Sequence, residues 1–542
     1  MKSHDGRSVI LPEARIAEMV ASGAWDDQIL TDYFDHWVEV FPDKVAVRSI
    51  SLDRGETRSL TFAELKRISE RIAVAFRGLG LGLGDVVSFQ LENRWEFLAI
   101  AIACVRIGAV TNPLMPVLRE RELSYMLALS DSKLLITPKS FRGFDFKSMA
   151  LKLHVRVPSL EHVLILDDVG EGSFDAAINA DGILADAERP DPDDLMQLLF
   201  TSGTTGEPKG AMHTANTLFA NVRECAARFA FDEDDVIFCP TPLAHQLGYL
   251  FGLLTPCMIG ASVVYLDTWD PIQAADIIER EQVTFCMGAT PFLNDLANLE
   301  GISDRDLSAF RLFVSGGAPI PSALVSRAKN NLSASILSVW GMTEVLAVTT
   351  VRLDDPEEKT AGTDGVATPN TAVRIVDRDG KPLESGQEGL LETSGATVCV
   401  GYMKRPELFK VRDDIWFDTG DLARMDADGY IRITGRSKDI IIRGGENIPV
   451  VEIEGILFRH KAISQVAIVA MPDERFGERA CAYVQLNSGQ TLTLGDISDF
   501  LTEAGVAKVY HPERLEIVDG MPMTATGKVQ KFELRDRAKS LA

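Results

Sequence analysis

Helix-like and strand-like segments alternate along most of the chain, and this alternation constrains its fold more than any other feature. The strand-like segments are short, apolar and rich in β-branched residues, as in KLLITP (133–138) and ASVVYL (261–266). Such strands are typical of sheets that helices cover on both faces. The intervening segments place apolar residues at helical spacing, as in TFAELKRISERIAVAFRGLGL (61–81), which ends in glycines. The pattern predicts an α/β fold of layered sheets and helices. Further strands are predicted at 84–91 and 162–168, a buried helix at 95–108, and a helix, a strand and a second helix over 272–299.

The pattern changes after residue 436, where a smaller α+β unit begins. Its strands are predicted at 439–443, 464–471 and 479–486, and its helices at 450–459 and 493–504. The joining segment is short and charged rather than rich in Gly and Ser, which is typical of a hinge between two packed bodies. We therefore expect a large N-terminal domain, residues 1–436, and a small C-terminal domain on a hinge, residues 437–542.

Composition excludes several classes of protein. With 542 residues and 46% apolar content, the chain can bury a large core and is too long for one compact domain. The net charge of −24 argues against a basic nucleic-acid-binding surface. The seven cysteines are scattered without a CxxC pair, so we expect reduced thiols rather than disulfides or a zinc site. The N-terminus has no signal-like apolar block, and the longest apolar run, 97–110, contains Arg106. A cytoplasmic protein without an integral membrane segment is expected.

The segment LLFTSGTTGEPKGAMHT (198–214) passes from an apolar strand into a loop of glycines and hydroxylated residues. Consecutive backbone N–H groups with little side-chain bulk can form a nest for phosphate oxygens, and Lys209 adds a positive charge. The loop is not a Walker A motif, because Lys209 stands three residues after Gly206 and is followed by Gly. The sequence therefore predicts a phosphate-binding loop, formed by Thr201, Ser202, Gly203, Thr204, Thr205, Gly206 and Lys209.

This loop resembles the (S/T)SGTTGxPKG signature of the adenylate-forming superfamily, which contains acyl-CoA synthetases, luciferases and the adenylation domains of peptide synthetases. Four later segments resemble the other motifs of that superfamily, in the same order: WGMTE (340–344), FDTGDLARMDADGYIRITGRSKD (417–439), RGGENIPVVEIEGIL (443–457) and MPMTATGKVQKFELR (521–535). The resemblance covers nearly the whole chain. It is closest to bacterial medium-chain acyl-CoA synthetases and cyclohexanecarboxylate–CoA ligases.

The resemblance implies that ATP activates a carboxylic acid to an acyl adenylate with release of pyrophosphate, and that coenzyme A then takes the acyl group. It implies that Thr343 contacts the α-phosphate, that Glu344 holds Mg²⁺ and that Lys528 offsets charge in the adenylation transition state. It also implies that Asp421 accepts hydrogen bonds from both ribose hydroxyls and that Arg436 lies on the ribose and phosphate side of the nucleotide. Other residues implied for ATP or AMP are Gly316, Gly317, Ala318, Trp340 as a stacking face in place of the commoner Tyr, Gly341, Met342 and Ile433.

The same resemblance implies an acyl pocket around residues 242–262, where His245 would gate the carboxylate end of the acyl group. The other residues implied for the pocket are small or apolar: Gly248, Ala289, Thr290, Gly316, Gly341, Met342 and Leu346. Because they include no Lys or Arg, an uncharged medium-chain fatty, alicyclic or aromatic acid is expected rather than an amino acid or a dicarboxylate. For the second step, the resemblance implies a hinge at Lys438 and a channel for coenzyme A, formed by Arg443, Gly444 and Gly445.

Three alternatives stay open on the sequence alone. They are an aryl-acid adenylating enzyme that loads a carrier protein, a luciferase-like oxidative enzyme and a non-catalytic nucleotide-binding relative. The joint presence of five motif residues favours an enzyme: Lys209, Glu344, Asp421, Arg436 and Lys528. The expected partners are a small carboxylic acid, ATP with Mg²⁺, and coenzyme A, with no nucleic acid; a homodimer stays open.

Overall fold

Two large sheets frame the N-terminal domain. The structure is a computed structural model that describes residues 9–170, 172–179, 184, 189–201, 208–317, 320, 322–412, 415–437, 441–443, 446–473, 475–523 and 529–541. Within these residues the larger sheet has nine strands, in spatial order Val366–Ala367, Leu346–Thr350, Ser335–Met342, Leu312–Gly316, Phe285–Gly288, Val236–Cys239, Ser262–Leu266, Val45–Ser51 and Glu56–Thr61. The smaller has six: Lys209–Thr214, Leu195–Thr201, Val110–Pro113, Val86–Phe89, Leu134–Pro138 and His162–Leu166. The inner strands of both sheets are parallel.

Helices cover both faces of these sheets. One apolar core joins the facing sides of the two sheets, and it contains the helices Phe62–Gly78, Trp95–Arg106, Ala215–Arg228 and the turns of helix between 246 and 259. The outer face of the larger sheet packs on Pro271–Arg280, Thr290–Ala297 and Ser322–Leu332, and that of the smaller sheet on Glu120–Leu129 and Phe146–Arg156. Trp95–Arg106 is buried along nearly its whole length, which explains why its sequence is apolar on every side.

A third sheet is antiparallel and follows the larger sheet in the chain. Its described strands are Thr371–Val376, Glu388–Gly395, Trp416–Met425, Val411–Arg412 and Ile431–Arg436. The sequence analysis did not predict this sheet. In Trp416–Met425 the more and the less buried residues alternate, so the strand lacks the continuous apolar run by which the parallel strands were found.

The C-terminal part is a separate α+β unit, as predicted. Its strands are Ile441–Arg443, Glu446–Ile448, Ile463–Asp473, Gly477–Leu486 and Arg514–Ile517, and its helices are Val450–Leu457, Leu494–Glu503 and Lys531–Lys539. The helices Leu30–Val40 and Phe174–Ile178 add buried residues to the core between the two large sheets. Further described elements are the helices Glu13–Ala21 and Glu357–Gly362 and the strands Ser140–Phe141 and Phe144–Asp145.

The architecture of a large N-terminal and a small C-terminal domain is confirmed. Most of the predicted strands and helices occur with slightly shorter bounds, whereas the strands predicted at 464–471 and 479–486 are longer, Ile463–Asp473 and Gly477–Leu486. The boundary at residue 436 stays a prediction. All seven cysteines are buried free thiols. Among the described helices, none combines the length and the apolar character that crossing a membrane requires.

Candidate functional site

The strands that flank the phosphate loop form an antiparallel pair at the edge of the smaller sheet. Leu195–Thr201 pairs with Lys209–Thr214, and Thr201 lies directly opposite Lys209. Lys209 is therefore fixed on a strand, and its Nζ atom lies 5.0 Å from the centre of the Tyr402 ring. The predicted phosphate ligands between the two strands lie outside the described residues: Ser202, Gly203, Thr204, Thr205 and Gly206.

Glu344 lies in the turn of a second hairpin, formed by Ser335–Met342 and Leu346–Thr350. The turn requires glycine at position 341, because a Cβ atom on Gly341 would lie 1.9 Å from the carbonyl oxygen of Leu346. Leu346 has a φ of 64°, a left-handed conformation that is uncommon for a bulky side chain. Backbone strain of this kind is found preferentially at functional sites, where the surrounding structure maintains it.

The carboxylate of Glu344 is buried against the hydroxyl of Tyr402. Glu344 is 5% exposed, and the Tyr402 hydroxyl donates a hydrogen bond of 2.6 Å to its Oε1 atom. Burial raises the pKa of Glu344, while that hydrogen bond and the charges of Lys209 and Arg436 oppose the rise. Burial and the neighbouring carboxylate raise the pKa of Tyr402, so its hydroxyl stays a donor. A buried acceptor beside a cation suits a site for a divalent ion and phosphates.

Tyr402 belongs to a segment that connects the Glu344 turn with the strand following the phosphate loop. The N–H of Met403 donates to the carbonyl of Gly210 at 2.8 Å, and the N–H of Cys399 donates to the carbonyl of Glu344 at 2.7 Å. One short segment therefore holds two of the motifs in a fixed relation to each other.

His213 provides a second link between these motifs. It is fully buried, with Nε2 2.8 Å from the carbonyl oxygen of Thr343 and Nδ1 3.1 Å from the Thr217 hydroxyl. Because a carbonyl only accepts, Nε2 carries the proton and donates it. Burial lowers the pKa of His213 to about 4, so the imidazole is neutral at pH 7.

The pKa of His213 predicts that acid destabilises the protein through this residue. Since the folded-state pKa is about 4 and the ordinary value is 6.5, the unfolded chain binds a proton that the folded chain does not between these values. The free energy of unfolding therefore falls as the pH falls through this window, by roughly 3 kcal/mol in all. His213→Gln can still donate a hydrogen bond to the carbonyl of Thr343 but does not titrate. Urea titrations measure the free energy of unfolding at pH 7 and pH 4, and its decrease should be smaller in the variant than in the unmodified protein. Equal decreases would contradict the assignment of the acid sensitivity to His213.

Asp421 and Arg436, the residues implied for the ribose, face each other across neighbouring antiparallel strands. Asp421 is 7% exposed, and its Oδ1 atom lies 3.2 Å from Nε of Arg436. The indole Nε1 of Trp340 donates a hydrogen bond of 3.0 Å to the other carboxylate oxygen, Oδ2. The structure thus brings together three residues that the sequence analysis assigned to the nucleotide.

The remaining residues implied for the nucleotide lie on neighbouring elements. Gly316 and Gly317 end the strand beside that of Trp340, and Gly317 has a φ of 88°, which favours glycine. Ile433 lies on the strand of Arg436, and its N–H donates to Asp364 at 2.8 Å. Trp340 packs in an apolar cluster, and its stacking on adenine stays a prediction. Ala318 lies outside the described residues.

The residues implied for the acyl pocket collect at one end of the larger sheet. Ala289 and Thr290 follow the strand Phe285–Gly288, and Gly316 ends the adjacent parallel strand. Gly341 and Met342 end the next strand and pair with Ala347 and Leu346. Because the carboxyl ends of parallel strands form the usual ligand site of an open α/β sheet, this edge is the candidate substrate pocket.

His245 begins the helical segment that reaches this edge. Its Nδ1 atom accepts a hydrogen bond from Leu247 N–H at 3.3 Å, and a Cβ atom on Gly316 would lie 3.4 Å from the Leu247 side chain. Asn93 fixes the preceding loop: its side-chain oxygen accepts from Leu243 N–H at 2.8 Å, and its amide donates to two carbonyls at 3.1 Å. The position of His245 is therefore determined by a loop that Asn93 holds through three hydrogen bonds.

Replacement of Gly248 by Ala should displace this loop. The added Cβ atom would lie 2.1 Å from the carbonyl oxygen of Pro242, which is backbone and can move only with the loop that carries His245. We expect a loss of about 1–3 kcal/mol in stability and about a tenfold increase in the KM for the acid. Thermal unfolding and initial rates measure both.

Gly455→Ala is the matched control, since Gly455 lies in the helix Val450–Leu457 with no atom within 4 Å of the added Cβ. It should be neutral or slightly stabilising. Unchanged stability and acid KM in Gly248→Ala would show that the loop is not rigid.

The C-terminal residues implied for coenzyme A are only partly described. Arg443 lies on the strand Ile441–Arg443, where its Nη2 atom is 2.7 Å from Glu513 and its guanidinium lies 4.4 Å from the centre of the Phe476 ring. Gly444, Gly445, Lys438 and Lys528 lie outside the described residues. Their implied roles stay predictions.

Three residues of this site were missed by the sequence analysis: Asn93, His213 and Tyr402. Tyr402 is 58 positions from Glu344, so no local pattern relates the two. His213 is the last residue but one of the quoted segment 198–214, but a histidine on an apolar strand is more often part of the core than of a functional site. For Asn93 the sequence offers one indication of a functional role, the polar run ENR (92–94), which directly follows a buried strand.

Comparisons with known proteins identify the family of the chain. Residues 34–403 match the AMP-binding enzyme family and residues 452–528 the AMP-binding enzyme C-terminal domain. A medium-chain fatty-acid–CoA ligase of Escherichia coli (strain K12) is 38% identical, over 96% of this chain and 93% of that protein. A vibriobactin-specific 2,3-dihydroxybenzoate-AMP ligase of Vibrio cholerae is 30% identical, over 98% and 97%. ATP-bound MatB from Rhodopseudomonas palustris superposes with a TM-score of 0.85 at 29% identity, over 95% of this chain and 100% of that one. The chain therefore belongs to the AMP-binding enzyme family and is an ATP-dependent, adenylate-forming ligase.

Proposed function

We propose that the protein is an acid–CoA ligase for an uncharged carboxylic acid of the medium-chain fatty, alicyclic or aromatic type. The observation that carries the proposal is the convergence of Lys209, Glu344 and Asp421, which come from three separate parts of the chain. Tyr402 contacts the first two, and Trp340 joins Asp421 to the strand that leads into the Glu344 turn.

In the first step, an oxygen of the substrate carboxylate attacks the α-phosphorus of ATP, and the bond to pyrophosphate breaks. Lys209 and the loop before it bind the β- and γ-phosphates, Thr343 contacts the α-phosphate, and Lys528 offsets the charge that develops between the reacting groups. Glu344 would hold Mg²⁺, which when bound neutralises phosphate charge; a buried carboxylate together with substrate phosphates is a common arrangement for that ion.

The nucleoside is held by the residues around Asp421. Asp421 and Arg436 bind the ribose, and the backbone of Gly316 and Gly317 approaches the adenine closely because these residues carry no side chain. Trp340 offers an aromatic face. Other residues proposed for the nucleotide are Ala318, Gly341, Met342 and Ile433.

The character of the acyl pocket supports an uncharged acid. Residues 242–262 contain no Lys or Arg, and the helical turns over 246–259 are buried apart from the half-buried Leu247 and Met258. The hydroxyl of Tyr249 in this region bonds to the Thr111 hydroxyl, and that of Tyr265 on the following strand donates to the carbonyl of Gly252, so both are satisfied without a ligand. A second charged group on the acid would lack a counter-charge here, and burying it would be costly.

In the second step, the thiol of coenzyme A attacks the acyl carbon, the bond to AMP breaks, and the thiol proton is released. We propose that the small domain turns about a hinge at Lys438, between residues 1–436 and 437–542, and that Arg443, Gly444 and Gly445 then line the channel for the pantetheine arm. The name of the medium-chain ligase relative supports coenzyme A as the acceptor, while the 2,3-dihydroxybenzoate-AMP ligase keeps a carrier protein as the second candidate.

A panel of acids and two acceptors tests this proposal. Butyrate, hexanoate, octanoate, decanoate, benzoate and cyclohexanecarboxylate are compared by kcat/KM, with thioester formation measured by mass spectrometry. For straight chains kcat/KM should rise about fourfold per methylene until the pocket is filled, since each buried CH₂ contributes about 0.8 kcal/mol. A holo carrier protein replaces coenzyme A in parallel reactions. Transfer of an acid of this panel to the carrier, with no thioester formed with coenzyme A, would overturn the proposal in favour of the carrier-loading function.

A further inference from the structure

The indole of Trp340 has a hydrogen-bonding partner that its predicted stacking role does not require. Its Nε1 atom donates to Oδ2 of Asp421 at 3.0 Å, although the two residues are 81 positions apart. Both side chains are buried, with Trp340 at 9% and Asp421 at 7% exposure. An indole N–H is a donor only, so the contact has one direction and is lost when the ring is changed to Phe.

The other carboxylate oxygen is held from a different side. Arg436 stands directly opposite Asp421 in the antiparallel strand pair, and its Nε atom lies 3.2 Å from Oδ1. An indole N–H that donates a hydrogen bond and a guanidinium that forms an ion pair thus contact two different oxygens of one carboxylate, from different strands. A rotation of this group about its Cβ–Cγ bond would break both contacts, and it would leave the buried N–H of Trp340 without an acceptor, which is costly, whereas the half-exposed Arg436 can turn to water. The orientation of Asp421 is therefore fixed.

We propose that Trp340 is a positioning residue that sets the selectivity for the ribose. Its N–H and Arg436 hold the Asp421 carboxylate so that both oxygens are presented to the 2′- and 3′-hydroxyls of the bound nucleotide. The inference rests on the proposed contact of Asp421 with the ribose. It predicts that the enzyme distinguishes ATP from its deoxy analogues, because a hydroxyl bonded to an oriented carboxylate is worth about a tenfold to hundredfold preference.

The experiment measures kcat/KM for ATP, 2′-deoxy-ATP and 3′-deoxy-ATP by pyrophosphate release, at a saturating concentration of the best acid. Trp340→Phe removes the N–H and keeps an aromatic face. We expect its preference for ATP over each analogue to fall at least about fivefold, by the loss of a charged hydrogen bond. If Trp340 acted only through stacking or packing, all three nucleotides would lose the same factor and the ratios would stay constant, which would overturn the proposal.

Trp269→Phe is the matched control. Trp269 also donates its indole N–H to a carboxylate, Asp295 Oδ2, at 2.9 Å, but this pair belongs to the outer face of the larger sheet. Its ribose preference should equal that of the unmodified enzyme, and a fall equal to that of Trp340→Phe would overturn the proposal.

Two further proteins complete the design. Benzothienylalanine at position 340 replaces the N–H by sulfur at nearly constant shape, and should give the same fall in ribose preference even if Trp340→Phe folds poorly. Asp421→Asn tests the underlying contact. If Asp421→Asn abolishes the preference for ATP while the Trp340 replacements leave it unchanged, the positioning role of Trp340 is refuted and the contact of Asp421 with the ribose is supported. If it leaves the preference intact, the ribose contact itself fails.

Discussion

Glu344→Gln should lower kcat/KM for ATP by about 10²–10³-fold, because it removes the negative charge proposed to act on the metal and phosphates. The amide keeps the shape of the carboxylate. Its oxygen can still accept the hydrogen bond of the Tyr402 hydroxyl, which lies 2.6 Å from Oε1 of Glu344 in the unmodified protein. Burial raises the pKa of Glu344, which shows that the charged form is costly in this position. We therefore expect the variant to be at least as stable as the unmodified protein, so that activity and stability change in opposite directions.

Glu224→Gln provides the control for this result. Glu224 is also buried, burial also raises its pKa, and its Oε1 atom accepts the N–H of Asn370 at 2.8 Å, but it lies on the helix Ala215–Arg228 away from the motif residues. It should retain the activity of the unmodified enzyme. Pyrophosphate release and thermal unfolding are measured on both variants. A rate for Glu344→Gln within a few-fold of the unmodified enzyme would refute the role of Glu344.

Asp421→Ala should lower kcat/KM for ATP by about 10²-fold or more, mainly through a higher KM. The variant loses two proposed hydrogen bonds between a charged group and the ribose, each worth about 1.5–3 kcal/mol. It also leaves the N–H of Trp340 without its acceptor and Arg436 without its nearby carboxylate, so we expect lower stability as well. Initial rates over a range of ATP concentrations separate KM from kcat.

The control must separate the kinetic effect from the loss of stability. Asp235 is 3% exposed and forms a 2.8 Å ion pair with Arg311, so Asp235→Ala breaks a similar buried pair. Asp235 precedes the strand Val236–Cys239 and therefore lies at the opposite end of the parallel strands from the candidate site. Its substitution should reduce stability and leave the KM for ATP unchanged. An equal rise in KM in both variants would point to a general structural effect.

Local patterns were sufficient for the parallel sheets and for the order of the motifs. The apolar runs at 133–138 and 261–266 form strands that are buried on both faces, and nearly all of their residues are apolar for that reason. The hydroxyl- and glycine-rich loop indicated a phosphate site by its composition, and WGMTE indicated a nucleotide site by its resemblance to a family motif. These features depend on neighbours in the sequence, so a single sequence contains them.

The features that were missed depend on residues distant in the sequence. Tyr402 reaches Glu344 only because its segment pairs with the strand after the phosphate loop, and Trp340 reaches Asp421 only because the antiparallel sheet packs against the Glu344 hairpin. In the sequence, a side chain that makes such a contact cannot be distinguished from an ordinary core residue. The contact is visible only when the arrangement of the strands in three dimensions is known. The resemblance could therefore point to Glu344 and Asp421 as candidates, but not to the residues that contact them.

Acid-dependent exchange of labelled pyrophosphate into ATP tests the central claim most directly, since it follows adenylate formation without coenzyme A. The purified protein with Mg²⁺, ATP, labelled pyrophosphate and octanoate should incorporate label into ATP, and omission of the acid should abolish incorporation. If no acid from butyrate to decanoate, nor benzoate or cyclohexanecarboxylate, promotes exchange, the protein does not form an acyl adenylate from any of the proposed substrates.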